Sequence, residues 1–299
     1  MRHFLEIDDL TPEELRLVLE LSTKTTLPAI LDGKGVALIF EKPSGRTRNS
    51  MEMATVQLGG HPIYIKPEEL GIDSRETAED VARVMAGYHC VMAARVFDHS
   101  RLERMAAADA IPIVNLLSDQ AHPMQALADL LTIEEEIGLA QVKRVAYVGD
   151  ANNVWRSLAL GCAMLGIDTS VASPAGHGPT PIDIDRIRSL GGALLVTDDP
   201  QEAVTESDVV YTDVWTSMGQ ENEKLDRLDA FAPFTVNSDL MSSAPAEAIF
   251  MHCLPAHRGE EVTNEVIESP QSKVFRQAHN RMHSARGLLS WIASQDRSK

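Results

Sequence analysis

The residues most able to do chemistry lie in a short polar segment that follows an apolar run at 36–40. Residues 44–48 read Ser-Gly-Arg-Thr-Arg, so two hydroxyl groups and two guanidinium groups stand at the predicted start of a helix. The first N–H groups of a helix have no partner within it and carry partial positive charge, which favours a phosphate. Arginine adds bidentate pairs with phosphate oxygens. The alternative interpretation is that Ser44 merely caps the helix and both arginines are solvated.

A second polar segment follows the predicted strand 113–115. Pro123 suits the first turn of a helix, and His122 and Gln125 are three positions apart, so both can face one ligand at the helix start. A neutral imidazole and an amide can donate hydrogen bonds to a carbonyl oxygen and orient it. Alternatively, His122 is only a helix cap.

A third segment, after the apolar run 145–148, begins with Gly149 and contains Asn152 and Asn153. A dinucleotide-binding fold places its Gly-rich fingerprint at this point, but the second and third glycines are absent, which disfavours NAD. The two asparagines either contact a polar ligand at a helix start or form an Asx cap.

A fourth segment, after the run 209–212, begins with Asp213 and includes Ser217, Met218 and Gly219. A carboxylate and a hydroxyl group at the end of a strand suit an ammonium ligand. Alternatively, this segment is only a turn that caps a helix.

Two further candidates lie near the C-terminus. Cys253 follows a predicted strand and precedes Leu254-Pro255, a position at which a side chain more often faces a cleft than the core. To act as a nucleophile, its thiolate would need a nearby base or positive field. An inert buried cysteine is the commoner situation in general. Arg281 lies on the last predicted helix, where it is either a surface charge or reaches back into the cleft.

Strand-like and helix-like segments alternate almost throughout the chain, and this alternation must position the polar residues. The predicted strands are 36–40, 63–65, 90–94, 113–115, 145–148, 169–172, 193–196, 209–212 and 249–252; the predicted helices are 11–22, 45–58, 76–87, 99–108, 123–137, 152–165, 181–190, 200–206, 221–230 and 273–295. Such alternation predicts parallel sheets covered by helices on both faces. The helix at 123–137 separates two series of elements. We therefore expect an α/β fold of two lobes joined by helices, with the ligand site in the cleft beyond the carboxyl ends of the strands.

Composition excludes several classes of function. The 299 residues allow a large core and predict two domains. The formal net charge of −17 repels polyanions, so we expect no nucleic-acid partner. No apolar run approaches the roughly 20 residues that span a membrane. The first residues turn acidic at once and contain no apolar stretch of the signal-peptide kind, so we expect no signal peptide. Three widely spaced cysteines (Cys90, Cys162, Cys253) predict free thiols in a reducing cytoplasm and no structural metal.

Together, the polar segments resemble the aspartate/ornithine carbamoyltransferase family, and most closely its ornithine branch. Family members carry Ser-x-Arg-Thr-Arg after a strand, then His-Pro-x-Gln, an Asp-x-x-x-Ser-Met-Gly loop, His-Cys-Leu-Pro and a late Asn-Arg. All five motifs occur here in the family order, between about residues 36 and 290. Each motif alone has limited specificity, whereas the ordered set is highly specific.

The resemblance implies a role for each motif residue. Carbamoyl phosphate would bind to the domain formed by residues 1–132, which about 280–299 would complete, and L-ornithine would bind to the domain formed by 133–279. The reaction would need no metal or cofactor. The expected assembly is a homotrimer or a multiple of trimers. Carbamoyl phosphate would be held by Ser44, Gly45, Arg46, Thr47, Arg95, His122, Gln125, Cys253, the Leu254 carbonyl and Arg281; ornithine by Asn153, Asp213, Ser217 and Met218; and the catalytic residues would be Arg95, His122, Cys253 and Arg281.

Two departures from the family pattern accompany the resemblance. Gly45 stands where relatives usually have threonine, so one hydroxyl group is lost, although glycine allows close backbone approach. The 66–77 loop fits the family poorly. In relatives the matching loop helps complete a neighbouring subunit's site, so the resemblance implies Arg75 as a cation contributed there. The expected reaction is carbamoyl transfer to ornithine, giving citrulline and phosphate. The alternatives are transfer to acetylornithine, putrescine or aspartate, or a non-catalytic two-lobed protein that binds anions or amino acids; a Rossmann dehydrogenase is a more distant one.

Overall fold

The computed structural model describes residues 1–216 and 224–295. The chain forms two compact units, one of Met1–Leu131 with His279–Lys299 and the other of Thr132–Ala278. It passes from one unit to the other within two helices, Pro123–Glu136 and Val274–Gln295.

The first unit contains a four-stranded parallel sheet. Its strands are β1 (Gly35–Phe40), β2 (His61–Ile65), β3 (Val91–Arg95) and β4 (Ile113–Leu117), in the spatial order β2-β1-β3-β4. Its helices are α1 (Pro12–Thr23), α2 (Gly45–Gln57), α3 (Pro67–Leu70), α4 (Ala78–Met85) and α5 (His99–Ala107). The central strands β1 and β3 are almost wholly buried, which explains why both read as continuous apolar runs.

The second unit contains a five-stranded parallel sheet. Its strands are β5 (Arg144–Val148), β6 (Asp168–Ala172), β7 (Leu194–Thr197), β8 (Val209–Thr212) and β9 (Ile249–His252), in the order β7-β6-β5-β8-β9. The remaining α-helices of the described residues are α6 (Pro123–Glu136), α7 (Asn153–Leu165), α8 (Pro181–Ser189), α9 (Pro200–Val204), α10 (Lys224–Phe231), α11 (Ser238–Ser243), α12 (Asn264–Ile267) and α13 (Val274–Gln295). The strand order changes direction between β5 and β8, so the loops that follow these two strands lie at the topological switch point of the sheet.

Helix caps mark where the polar loops turn into helices. The side chain of Ser44 accepts the N–H of Thr47 at the start of α2, and Asn152 accepts two N–H groups at the start of α7. Each cap satisfies N–H groups that the helix itself leaves without partners. The sequence therefore fixes the start of each helix immediately after the strand that precedes it.

The predicted α/β class with parallel sheets is confirmed, and each of the nine predicted strands is present with small shifts at its ends. The ten predicted helices are also present, although residues 221–223 lie outside the described part of the chain. Three described helices were missed, namely α3, α11 and α12. They span only four to six residues, which is too short for a helical periodicity to be seen. No helix in the described ranges is both long and apolar enough to cross a membrane.

Candidate functional site

The start of α2 has the geometry of a capped helix with an exposed first turn. The hydroxyl group of Ser44 accepts the Thr47 N–H at 3.4 Å and donates to the Thr47 Oγ1 at 3.1 Å. Gly45 and Arg46 lie exposed on the first turn. The capping interpretation is therefore correct for Ser44, and the cap presents the positive end of the helix together with Arg46.

The two arginines of this segment have different positions. The Nε of Arg48 lies 2.7 Å from a carboxylate oxygen of Glu52, and its guanidinium group stands 4.0 Å from the centre of the Tyr64 ring. An i,i+4 ion pair and a cation–π contact hold Arg48 on the side of the helix. Of the two guanidinium groups expected to meet an anion, Arg46 is thus the candidate and Arg48 has a structural role.

Arg281 connects three of the motif segments in the first unit. Its side chain is 5% exposed although it carries a charge. Nη1 donates to the Oε1 of Gln125 at 2.6 Å, and Nη2 donates to the Oγ1 of Thr47 at 2.9 Å. Gln125 in turn donates to the Oδ1 of Asp129 at 2.8 Å. The interpretation of Arg281 as a surface charge is therefore wrong. Ser44, Arg46, Thr47, Arg95, His122, Gln125 and Arg281 are called the arginine cluster below.

His122 is a neutral imidazole within the arginine cluster. It is 4% exposed, and its carbonyl accepts the N–H of Gln125 at 3.0 Å, which places it at the start of α6. Burial, followed by the positive charges of Arg281 and Arg95, holds the pKa of His122 well below its ordinary value. A neutral imidazole can donate a hydrogen bond to a carbonyl oxygen without competing with the arginines for negative charge.

The pairing of β8 with β9 brings two predicted residues of the second unit together. Thr212 and His252 are partners in the register of this parallel pair, so the residues that follow them, Asp213 and Cys253, leave the sheet side by side. The Cys253 thiol donates to the Oδ1 of Asp213 at 2.9 Å. Asp213 is 6% exposed, and its Oδ2 accepts the Nδ2 of Asn152 at 3.2 Å. We call Asn152, Asp213, Cys253 and Leu254 the thiol cluster.

The two asparagines at the start of α7 have different positions in the structure. The Oδ1 of Asn152 accepts the N–H groups of Val154 and Trp155, so the Asx-cap interpretation is correct for Asn152. Asn153 is the first residue of α7 and is partly buried. The cap and the carboxylate contact of Asn152 therefore fix the backbone from which Asn153 projects.

A buried histidine and glutamate support the backbone of Leu254. Leu254 has a φ of 56°, a left-handed conformation that is uncommon for a branched side chain. Its N–H donates to the Nδ1 of His252 at 2.8 Å, and the Nε2 of His252 lies 3.0 Å from the Oε1 of Glu261. Because Nδ1 is an acceptor, the imidazole proton lies on Nε2 and points at Glu261. The sequence analysis missed this support, because no spacing rule links a strand-end histidine to a glutamate in a later loop.

An ion pair that is almost buried anchors the loop that follows β8. Arg227 on α10 is 4% exposed; it donates to the Trp215 carbonyl and pairs with Asp150 at the end of β5. Burial raises the pKa of Asp150, while the charge of Arg227 opposes that rise. This pair was also missed, since Asp150 and Arg227 are far apart in sequence and belong to no motif. The predicted contacts of Ser217 and Met218 lie outside the described residues.

Within the described residues, two groups of side chains offer three metal-ligating atoms within 4.8 Å of one another. One is Asp213, His252 and Cys253, of which Asp213 and Cys253 are members of the thiol cluster, and the other is His257, Glu260 and Glu261. All three cysteines are free thiols, as predicted.

Known proteins with similar sequences and structures share both units of this chain. Residues 2–135 match the carbamoyl-P binding domain of the aspartate/ornithine carbamoyltransferases, and residues 141–292 match their Asp/Orn binding domain. The chain is 47% identical to the ornithine carbamoyltransferase of Acidothermus cellulolyticus over 301 residues, covering 98% of this chain and 96% of that protein. It is 44% identical to the ornithine carbamoyltransferase of Bacillus subtilis, covering 97% of this chain and 93% of that protein.

The solved structures that resemble this chain have the same name as its sequence relatives. The ornithine carbamoyltransferase of Pyrococcus furiosus has a TM-score of 0.93 at 43% identity, with 98% of this chain and 97% of that chain covered. The enzyme of Thermus thermophilus has a TM-score of 0.89 at 41% identity, with 98% and 99% covered. With both of its domains matched and its length almost fully covered, the chain belongs to the aspartate/ornithine carbamoyltransferase family.

Proposed function

We infer that this protein transfers the carbamoyl group of carbamoyl phosphate to the side-chain amine of L-ornithine, giving L-citrulline and phosphate. The observation that carries this inference is the similarity at 42–47% identity, over 96–99% of the chain, to curated proteins that are each named ornithine carbamoyltransferase. The contacts within each unit support it, because they join motifs that are distant in sequence.

In the first unit, we propose that the arginine cluster binds carbamoyl phosphate. Arg46 and the exposed N–H groups of the first turn of α2 face solvent and suit the phosphate. Arg281 is held by Thr47 and Gln125, so its forked donors are ordered before a ligand binds. Gly45 contributes its backbone, and Arg95 and the neutral His122 are assigned to the carbonyl oxygen, which gains negative charge during the reaction.

In the second unit, we propose that Asn153, Asp213, Ser217 and Met218 bind ornithine, with Cys253 and the Leu254 carbonyl beside its reacting amine. The carboxylate of Asp213 is buried and already accepts the Cys253 thiol and the Asn152 amide. A buried carboxylate with ordered partners suits an ammonium group. The Leu254 backbone is fixed by His252, so its carbonyl has a defined direction.

The proposed reaction needs a neutral amine, although a free alkylamine has a pKa of about 10.4. Removal of water and nearby arginine charges both favour the neutral form. The amine nitrogen bonds to the carbonyl carbon, the bond from that carbon to the phosphate oxygen breaks, and the leaving phosphate takes up the proton that the amine loses. Arg46, Arg95 and Arg281 offset the charge of the leaving phosphate. Because the carbamoyl group is already activated, much of the rate would come from holding the two substrates together.

The finer assignments rest on the family resemblance. We propose a cytoplasmic enzyme of arginine biosynthesis that assembles as a homotrimer or a multiple of trimers. The free thiols support a reducing compartment. Light scattering after size-exclusion chromatography tests the assembly, and a monomer would contradict it.

The experiment that tests the function measures carbamoyl transfer from labelled carbamoyl phosphate to L-ornithine, acetylornithine, putrescine and aspartate. We expect citrulline from ornithine and little product from the other three amines. Turnover with another amine would overturn the ornithine assignment while keeping the carbamoyl phosphate assignment. Binding of carbamoyl phosphate without any product would support a non-catalytic binding protein instead.

A matched pair of arginine variants tests the phosphate assignment. Arg46→Ala should abolish most turnover, whereas Arg48→Ala should retain it, because Arg48 is engaged by Glu52 and Tyr64. Equal turnover of Arg46→Ala and the unmodified protein would show that the phosphate assignment is wrong.

A further inference from the structure

A turn in the second unit gathers three metal-ligating side chains outside the two clusters described above. The Nδ1 of His257 lies 3.5 Å from the Oε2 of Glu260 and 3.9 Å from the Oε2 of Glu261. The side chain of His257 is 44% exposed and that of Glu261 is 0% exposed. The group therefore opens to solvent at the histidine and closes on a buried carboxylate.

The backbone of this turn fixes the three side chains relative to one another. The N–H of Glu260 donates to the His257 carbonyl at 2.8 Å, and the N–H of Gly259 donates to the Val262 carbonyl at 2.9 Å. Gly259 has a φ of 92°, a conformation that favours glycine. The N–H of His257 donates to the Oε1 of Glu261 at 2.6 Å. The turn thus brings the three residues together and orients the Glu261 carboxylate.

The buried carboxylate of Glu261 uses only one of its oxygens for hydrogen bonds. Its Oε1 accepts from the His257 N–H and contacts the His252 Nε2. Its Oε2, which faces the His257 imidazole, is buried and accepts no hydrogen bond from the residues that the structure describes. A buried carboxylate oxygen is costly unless a cation or a donor satisfies it.

The neighbouring arginine does not supply that cation. Arg258 pairs with Glu268 at 2.7 Å and donates to Asn264. A divalent ion bound by His257, Glu260 and Glu261 would balance the two carboxylates and satisfy the Glu261 Oε2. We propose that these three residues form a binding site for a divalent transition-metal ion of the zinc class.

The choice of ion follows from the ligands and their spacing. Zinc takes imidazole nitrogen and carboxylate oxygen in a tetrahedral arrangement, in which neighbouring ligand atoms lie about 3.4 Å apart. The distances of 3.5 and 3.9 Å from the His257 Nδ1 are close to that value, and solvent can supply the fourth ligand. Mg²⁺ and Ca²⁺ prefer oxygen ligands alone, so they should bind weakly.

The proposal is independent of carbamoyl transfer, and its test measures binding alone. The metal-stripped full-length protein carrying Cys253→Ser, which removes the thiolate from the other ligand group, is titrated with Co²⁺ and with Zn²⁺. We expect one Co²⁺ per chain with d–d absorption and no thiolate-to-cobalt band, and displacement of Co²⁺ by Zn²⁺ but not by Mg²⁺.

Three further variants in the Cys253→Ser background locate the site. His257→Gln and Glu260→Gln should each weaken Co²⁺ binding at least tenfold, whereas His61→Gln, which alters an exposed histidine of the other unit, should leave it unchanged. Circular dichroism establishes that each variant is folded. Absence of Co²⁺ binding, or full affinity in His257→Gln, would overturn the proposal and leave His257 as a partner of the two carboxylates.

Discussion

The Nη2 of Arg281 donates a 2.9 Å hydrogen bond to the Oγ1 of Thr47, although 234 residues separate the two. The same guanidinium group holds Gln125 through its Nη1 at 2.6 Å. One side chain of α13 therefore aligns the start of α2 with the start of α6. This contact makes the C-terminal helix part of the proposed carbamoyl phosphate site.

Replacing Arg281 by lysine should disturb this alignment, because an ammonium group cannot donate to Thr47 and Gln125 with the geometry of a forked guanidinium group. Loss of one charge-assisted hydrogen bond costs about 1.5–3 kcal/mol, so kcat/KM for carbamoyl phosphate should fall about 10- to 100-fold. Arg276→Lys is the matched variant, since Arg276 lies on the same helix but forms an exposed ion pair with Glu135. Steady-state kinetics would contradict the assignment if both variants behaved alike.

Restoring threonine at position 45 should strengthen carbamoyl phosphate binding. A Cβ atom added to Gly45 meets nothing within 4 Å, so the first side-chain atom fits without a clash. A new hydroxyl donor to the phosphate should lower KM for carbamoyl phosphate about 2- to 10-fold. Gly45→Ala adds the Cβ without the hydroxyl group and should leave KM unchanged. If Gly45→Ala lowered KM for carbamoyl phosphate as much as Gly45→Thr did, the cause would be the helix backbone and not the hydroxyl group.

His122 should make folding stability depend on pH below about 6.5. The pKa of His122 is held well below 6.5 in the folded state, while the unfolded chain binds the proton near 6.5. Unfolding therefore takes up a proton at lower pH, and the free energy of unfolding falls as the pH decreases, by up to about 1.4 kcal/mol per pH unit.

Urea denaturation at several pH values between 5 and 8 measures this dependence. His122→Gln and His122→Asn should both give a flatter slope, whatever their absolute stability. A slope equal to that of the unmodified protein would mean that the folded state binds the proton as readily as the unfolded state.

Arg227→Leu should destabilise the second unit and weaken ornithine binding. The change leaves the Asp150 carboxylate, whose side chain is 12% exposed, with only His177 at 4.0 Å as an ionisable neighbour. We expect a cost of about 3 kcal/mol in the free energy of unfolding, the low end for breaking a buried ion pair. It also removes the donor to the Trp215 carbonyl, two residues before Ser217, so KM for ornithine should rise while KM for carbamoyl phosphate is kept. The exposed Arg188 provides the matched variant, Arg188→Leu. A KM for ornithine equal to that of Arg188→Leu would refute the positioning role.

Cys253 variants test whether the thiol acts as a hydrogen-bond donor to Asp213 or as a nucleophile. Serine also donates to Asp213, so Cys253→Ser should retain more activity than Cys253→Ala. Loss of the donor in the alanine variant leaves a buried carboxylate oxygen less satisfied and should lower kcat/KM for ornithine by about tenfold. Mass spectrometry of the protein during turnover should reveal no carbamoylated thiol. A trapped adduct on Cys253 would establish covalent catalysis instead.

The sequence alone determined the α/β class, the nine strands and the candidate motifs, because these features depend on local information. Apolar runs such as 36–40 form buried parallel strands wherever they pack, and Ser44 and Asn152 cap helices through neighbouring N–H groups. The tertiary structure alone decided which residues meet. Thr47, Gln125 and Arg281 converge because helix packing joins segments that are distant in the sequence. His252 meets Glu261 because the loop after β9 turns back on the end of its strand. It also decided that Arg48 is engaged and that His122 is neutral, since a side chain's partners and a group's pKa depend on burial and on charges brought near by folding.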